Sequence, residues 1–144
     1  MSVEVEHAVA NTVAVWLEAN RPSGLGATVQ IYAMDTKTRK EAPCLGVSCE
    51  DTQRAGHRYM MQTQLVVELE YQDDDTDAET AAGWLYAVYC AVDENVEALR
   101  QALRVKGYWL RKLTPMEPGG NEGSGERARV LRSRWMGFVQ TKIV

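Results

Sequence analysis

The sequence has 144 residues, a length that suits one domain and leaves little room for a second. Its composition, 45% hydrophobic and 25% charged, is ordinary for a globular protein, and no apolar run reaches the roughly 18–20 residues of a membrane span. The net charge of −4 argues against a general nucleic-acid-binding protein. The start "MSVEVEHAVANTV" carries acid where a signal peptide needs base, so nothing in it indicates secretion.

The charges are unevenly distributed along the chain. Residues 1–99 carry a net charge of −11, whereas residues 100–144 carry a net charge of +7. Two interpretations follow from this polarity. The acidic and basic parts either pair inside one fold or face each other between subunits.

The first third of the chain predicts one helix and two short strands. Apolar residues three and four apart predict a helix over residues 3–19, and "NRPSGLG" ends it. The stretches "ATVQIYA" (27–33) and "CLGVSC" (44–49) predict strands. Cys44 and Cys49 should point to opposite faces of a regular strand, so we expect no bridge between them and interpret the cysteines as free, buried thiols in a reducing compartment.

Residues 57–89 join a long strand to an amphipathic helix. Apolar residues alternate up to Tyr71 over about 45 Å of extended chain, and then recur three and four apart. The stretch "TDAE" between them predicts a capping box, with Thr76 as N-cap and Glu79 reaching back. We expect the helix to fold over the strand that precedes it. The predicted contacts are those of Leu65, Val67 and Leu69 with Trp84, Leu85 and Val88.

The last third predicts a helix extension and two strands. "VDEN" indicates either a bend or a second helix with Asp93 as cap, and "GYWLRKLT" (107–114) predicts a strand. A flexible hairpin loop is predicted over 117–126, followed by a long last strand with a bulge at Gly137. The order α-β-β-β-α-(α)-β-β predicts a single α+β domain over 1–144, with an antiparallel or mixed sheet and the helices packed on one face.

Few stretches suggest chemistry. "DDDTD" (73–77) lacks the spacing of a calcium loop and is interpreted as a solvated turn at a helix N-terminus. No zinc-ligand spacing, phosphate loop or catalytic constellation is recognisable, so we expect no metal, no cofactor and no enzyme activity. The basic segment "RARVLRSR" (127–134) is either a phosphate-binding strip or a sheet face balanced by Glu68 and Glu70.

The order and local texture of the elements resemble a known family. A first helix is followed by "APCLGVS", a long strand ending in acid ("ELEYQDDDTDAE"), a helix "AGWLYAVYCAV" continued by "DENVEALRQAL", then "GYWLRKL" and a last strand. This pattern, over roughly residues 5–144, resembles the tail terminator (tail completion) proteins of long-tailed bacteriophages, the family of the minor tail protein U of lambda-like phages. The resemblance lies in order and texture more than in identical residues.

The resemblance implies a structural virion protein assembled in the host cytoplasm. Such proteins form a hexameric ring on the head-proximal end of the tail tube, stop tube polymerisation and present a surface for head-tail joining. The implied partners are other copies of the chain, the tail tube protein and a head-tail connector, without a membrane or sequence-specific nucleic acid; DNA passage through the ring is compatible with this role. The alternatives are a phage neck or head-completion connector and a small ligand-binding or regulatory α+β module.

The charge polarity and this implied ring together suggest a subunit interface. We expect acidic residues at the end of the long strand of one subunit to approach basic residues of the last strand of the next subunit. The predicted interface residues are Glu68, Glu70, Asp73, Asp74, Arg127, Arg129, Arg132 and Arg134.

Overall fold

A computed structural model describes residues 2–34, 41–56, 59–116, 122–123 and 128–141. Within these ranges the chain forms three helices and six strands, which confirms the α+β class and the predicted element order. The elements are α1 Ser2–Ala19, β1 Gln30–Ala33, β2 Cys44–Arg54, β3 Met60–Gln72, α2 Ala78–Glu94, α3 Val96–Val105, β4 Trp109–Pro115, β5 Glu122–Gly123 and β6 Ala128–Gln140.

The strands form one mixed sheet around the two longest strands. Its order is β1-β2-β3-β6-β4, with the short β5 paired to the far side of β6. β1 runs parallel to β2, and all the other pairs are antiparallel. β3 and β6 pair over their full 13 residues, from Met60 opposite Gln140 to Gln72 opposite Ala128. This pairing forms the central axis of the molecule.

The helices cover one face of the sheet, as predicted. α1 packs on β1 and β2, α2 on β6 and β3, and α3 on β4. Because side chains alternate across a strand, Leu65, Val67 and Leu69 of β3 face this helical layer, and all three are almost completely buried. They belong to the same hydrophobic cluster as Val88. Trp84 and Leu85 are partly exposed and pack against this cluster. The six residues thus belong to one core or pack against it, while the individual contacts predicted between α2 and β3 stay a prediction.

The opposite face of the sheet carries longer and more polar side chains. Glu68 and Glu70 of β3 lie on this face, next to the fully buried Val66. Cys44 also lies here, whereas Cys49, opposite Leu65, lies on the helical face. None of the three cysteines forms a disulfide, as predicted, but only Cys44 is buried; the prediction of burial is wrong for Cys49 and Cys90, which are partly exposed.

Two strand predictions need correction. β2 extends to Arg54, past a register shift between Glu50 and Gln53, and is longer than predicted. The bulge predicted at Gly137 is wrong, because the β3–β6 register runs through Gly137 without a break. The irregularity lies instead in β4, between Leu110 and Lys112.

The helix starts also differ in detail. The N-cap of α2 is Asp77, whose Oδ1 accepts a hydrogen bond from the backbone N–H of Thr80 at 2.6 Å, so the capping box at Thr76 is wrong. The helical segment divides at Asn95, which ends α2 and precedes α3; the cap predicted at Asp93 is therefore also wrong.

The predicted hairpin loop over 117–126 is only partly described. Glu122 and Gly123 form β5 and pair with Val130 and Arg129. The remaining residues of the loop, 117–121 and 124–126, lie outside the described residues.

Candidate subunit interface

The predicted acidic interface residues lie along β3 and in the turn that follows it. Glu68 is directly opposite Arg132 of β6, and Glu70 is opposite Val130. Asp73 and Asp74 are exposed in the turn between β3 and α2. Arg129, Arg132 and Arg134 lie on β6 beside β3, with Arg134 opposite Val66, and Arg127 lies outside the described residues.

Two of the predicted acid–base pairs are formed within a single chain. Arg132 Nε lies 3.3 Å from Glu68 Oε2, and each side chain is 19% exposed. Arg129 Nη2 lies 2.9 Å from Asp73 Oδ2 in a more exposed setting. These two ion pairs correspond to the first of the two interpretations of the charge polarity, in which acidic and basic residues pair within one fold. Contacts of the same residues with a neighbouring subunit stay a prediction.

Arg134 differs from the other predicted arginines. It lies on the face without helices, opposite Val66, and its Nε is buried without a hydrogen-bond partner among the described residues. The nitrogen atoms of a guanidinium act only as hydrogen-bond donors. A buried donor that has no acceptor loses its hydrogen bonds to water without replacement, which lowers the stability of the fold. Arg134 is therefore the predicted interface residue whose hydrogen bonding is least complete within the described chain.

A second cluster of arginines was not predicted. A cavity of about 320 Å³ at the junction of α3 and β4 is lined by Arg100, Arg104 and Arg111, together with Glu97, Gln101 and Trp109. We call it the arginine cavity. Arg100 and Arg104 are four residues apart, a spacing that places both on one face of a helix, so the pattern was readable in the sequence. Their approach to Arg111 depends on how α3 packs against β4.

The three arginines of this cavity are held to different degrees. Arg100 donates to the carbonyl oxygens of Leu110 (3.0 Å) and Arg111 (3.3 Å), and it forms an ion pair with Glu97 at 2.9 Å. Arg111 donates from Nε and Nη2 to Oε1 of Gln140.

The side chain of Arg104 is exposed and makes no hydrogen bond or ion pair with any described residue. Trp109 contributes a buried Nε1 that also lacks an acceptor among the described residues. The cavity therefore has positive charge in excess over the one carboxylate of Glu97, and it retains donors without partners.

A stack of three aromatic rings leads from the core to the surface beside α2. The ring of Trp135, fully buried, stacks on Tyr89 at a centroid distance of 5.6 Å, and Tyr89 stacks on Tyr86 at 6.3 Å. A hydrogen bond with Cys90 is the main cause of the raised pKa of Tyr86. Tyr86 and Tyr89 line an open groove of about 350 Å³ between α2 and β6.

Among the described residues, no group of three or more His, Cys, Asp and Glu side chains is placed to hold a metal ion. In the same part of the chain, no helix is both long and apolar enough to span a membrane.

No protein-family model matches the chain, and no curated protein matches it significantly.

Proposed function

We propose that this chain is a structural, non-catalytic virion protein of the tail-terminator kind. In this role, copies of the chain form a ring on the head-proximal end of a phage tail tube. The resemblance to tail terminators implies that the ring has six subunits. The ring stops tube polymerisation and offers a joining surface to a head-tail connector. Its partners are other copies of the chain, the tube protein and the connector.

The observation that carries the proposal is the order and size of the elements. The resemblance depends on a first helix, short strands, one long strand that ends in acid, two consecutive helices and a long last strand. The chain has this order, with 13 residues in β3 and 13 in β6, and with α3 starting directly after α2. Strands of this length exceed the usual five or six residues and give a small domain two widely separated ends.

The charge distribution supports a head-to-tail ring. A ring built from identical subunits needs two different, complementary surfaces on each subunit. The acidic turn after β3, formed by residues 73–79, and the arginine cavity at the junction of α3 and β4 provide surfaces of opposite sign.

The test is tube capping. The purified chain is added to polymerising tube subunits from the genome that encodes it, and the products are examined by electron microscopy. We expect shorter tubes that carry a ring at one end. Tubes of unchanged length, with no added density at either end, would refute the proposed function.

A further inference from the structure

The two charged surfaces lie at opposite ends of the long strand. The acidic turn, which we define as residues 73–79, directly follows Gln72 at one end of β3. The other end of β3 is Met60, which pairs with Gln140, and Gln140 in turn pairs with Trp109 of the arginine cavity. At roughly 3.3 Å per residue, the 13 residues of β3 separate these ends by about 40 Å.

The helices repeat this polarity. α2 starts at the acidic turn, and α3 ends at the arginine cavity. Residues 72–99 contain eight acidic residues and no Lys or Arg, whereas residues 100–116 contain five basic residues and no acid. Five of these eight acidic residues lie in the acidic turn, whereas Asp93, Glu94 and Glu97 lie at the end of α2 and in α3, where Glu97 pairs with Arg100. The carboxylates of the turn are too far from the cavity to neutralise its remaining positive charge within the chain.

Side chains at both ends remain available for a partner. In the acidic turn, the carboxylates of Asp75 and Glu79 are exposed and make no hydrogen bond or ion pair with any described residue. In the arginine cavity, Arg104 has the same status, while Arg100 and Arg111 are held in place by carbonyl and amide oxygens that leave their charge in excess. The cavity is therefore a preformed cationic site with one unpaired guanidinium.

We propose that the acidic turn of one copy docks into the arginine cavity of the next copy. This inference specifies the subunit contact of the ring and depends on the proposed function for its biological setting. The contact is heterologous, because it joins two different surfaces, and repetition of the same contact builds a closed ring or a filament. Carboxylates at the cavity mouth give the guanidinium of Arg104 a bidentate partner.

A second copy fits this site better than an unrelated partner does. The chain itself carries the complementary group at the end of the molecule remote from the cavity: five of the seven residues 73–79 are acidic and exposed, and of these Asp73 pairs with Arg129. A contact between these ends puts unlike charges together, whereas two acidic turns or two cavities would repel each other.

The experiment measures self-association of the full chain by sedimentation velocity over a concentration series. Arg104→Glu reverses charge in the cavity, and Asp75→Lys reverses charge in the turn. Both side chains are exposed and unpaired among the described residues, so neither change should disturb folding, which circular dichroism checks. Lys112→Glu and Asp93→Lys are the matched controls, because they change net charge equally at exposed positions outside both surfaces.

We expect the wild-type chain to associate, and each surface variant to associate at least tenfold more weakly, while the controls behave like the wild type. The double variant Arg104→Glu/Asp75→Lys should regain part of the lost association, because the reversed charges again attract. Raising the salt concentration from about 0.05 M to about 0.5 M should weaken association of the wild type.

Three results would overturn the inference. A wild-type chain that stays monomeric at every concentration would do so, as would surface variants that associate like the controls. Binding of inorganic phosphate that is lost in Arg104→Glu, without any self-association, would assign the cavity to a small anion instead. In each case tube capping remains an independent measure of the proposed function, so the two failures are distinguishable.

Discussion

At the scale of single residues, the start of α2 offers two adjacent side chains that could serve as its N-cap. Thr76 and Asp77 are both good N-cap residues, and the sequence favoured Thr76 because Glu79 stands three positions later. In the structure Asp77 has an extended backbone, with φ −79° and ψ 160°, and its carboxylate accepts from Thr80 N–H. This hydrogen bond is the main cause of the lowered pKa of Asp77.

We expect Asp77→Ala to lower the melting temperature by roughly 2–6 °C at pH 7, because the helix loses its cap. Asp77→Asn is the matched control, since its amide oxygen can still accept the hydrogen bond. The folded-state pKa of Asp77 is lowered, so its contribution is present above the unfolded pKa and is lost as pH falls through the folded pKa. The difference between Asp77→Ala and wild type should therefore shrink in strongly acidic solution.

Thermal melts followed by circular dichroism at pH 7 and in strong acid measure both effects. Thr76→Ala is the comparison variant, because the capping-box prediction made Thr76 the N-cap. A larger loss of stability in Thr76→Ala than in Asp77→Ala would contradict the assignment of Asp77 as the cap.

At the scale of elements, hydrophobic periodicity predicted which helices and strands exist better than it predicted the residues at which they begin and end. Alternation predicted β3, and three- and four-residue spacing predicted α2, because each element buries one face. The extension of β2 to Arg54 could not be predicted, since "EDTQR" has no apolar alternation and is a strand only because β3 pairs with it. The bulge in β4 could not be predicted from the sequence either. We placed the bulge at Gly137 because glycine often marks bulges in strands.

The connection between α1 and β1 depends on a close approach to α2. A Cβ atom at Gly26 would lie 2.7 Å from Cζ2 of Trp84, whereas a Cβ at Gly83, the residue before Trp84 in α2, meets nothing within 4 Å. We expect Gly26→Ala to cost about 1–3 kcal/mol through overpacking against the indole ring. The matched change Gly83→Ala should be neutral or stabilise the protein by up to about 1 kcal/mol.

Urea denaturation of the two variants measures this difference. Equal unfolding free energies for Gly26→Ala and wild type would show that Trp84 does not pack against the connection.

At the scale of the whole molecule, the sequence predicted the sign of the charged segments but left open whether they pair within one chain or between subunits. The polarity between residues 1–99 and 100–144 was evident from the sequence. That Glu68 meets Arg132 in the same chain depends on the β3–β6 register, which fixes which residues stand opposite each other over 64 positions of sequence. The arginine cavity was missed for a similar reason, because α3 and β4 form it only by packing together.

The last prediction separates pairing within a chain from pairing between chains. Arg132→Glu should place two carboxylates opposite each other on a partly buried sheet face and cost about 1–3 kcal/mol of monomer stability. The double reversal Glu68→Arg/Arg132→Glu should regain most of that loss. Urea denaturation at low protein concentration and high salt, where the chain is monomeric, makes the measurement. A single reversal that leaves monomer stability unchanged but reduces assembly would instead place Glu68 and Arg132 at a contact between subunits.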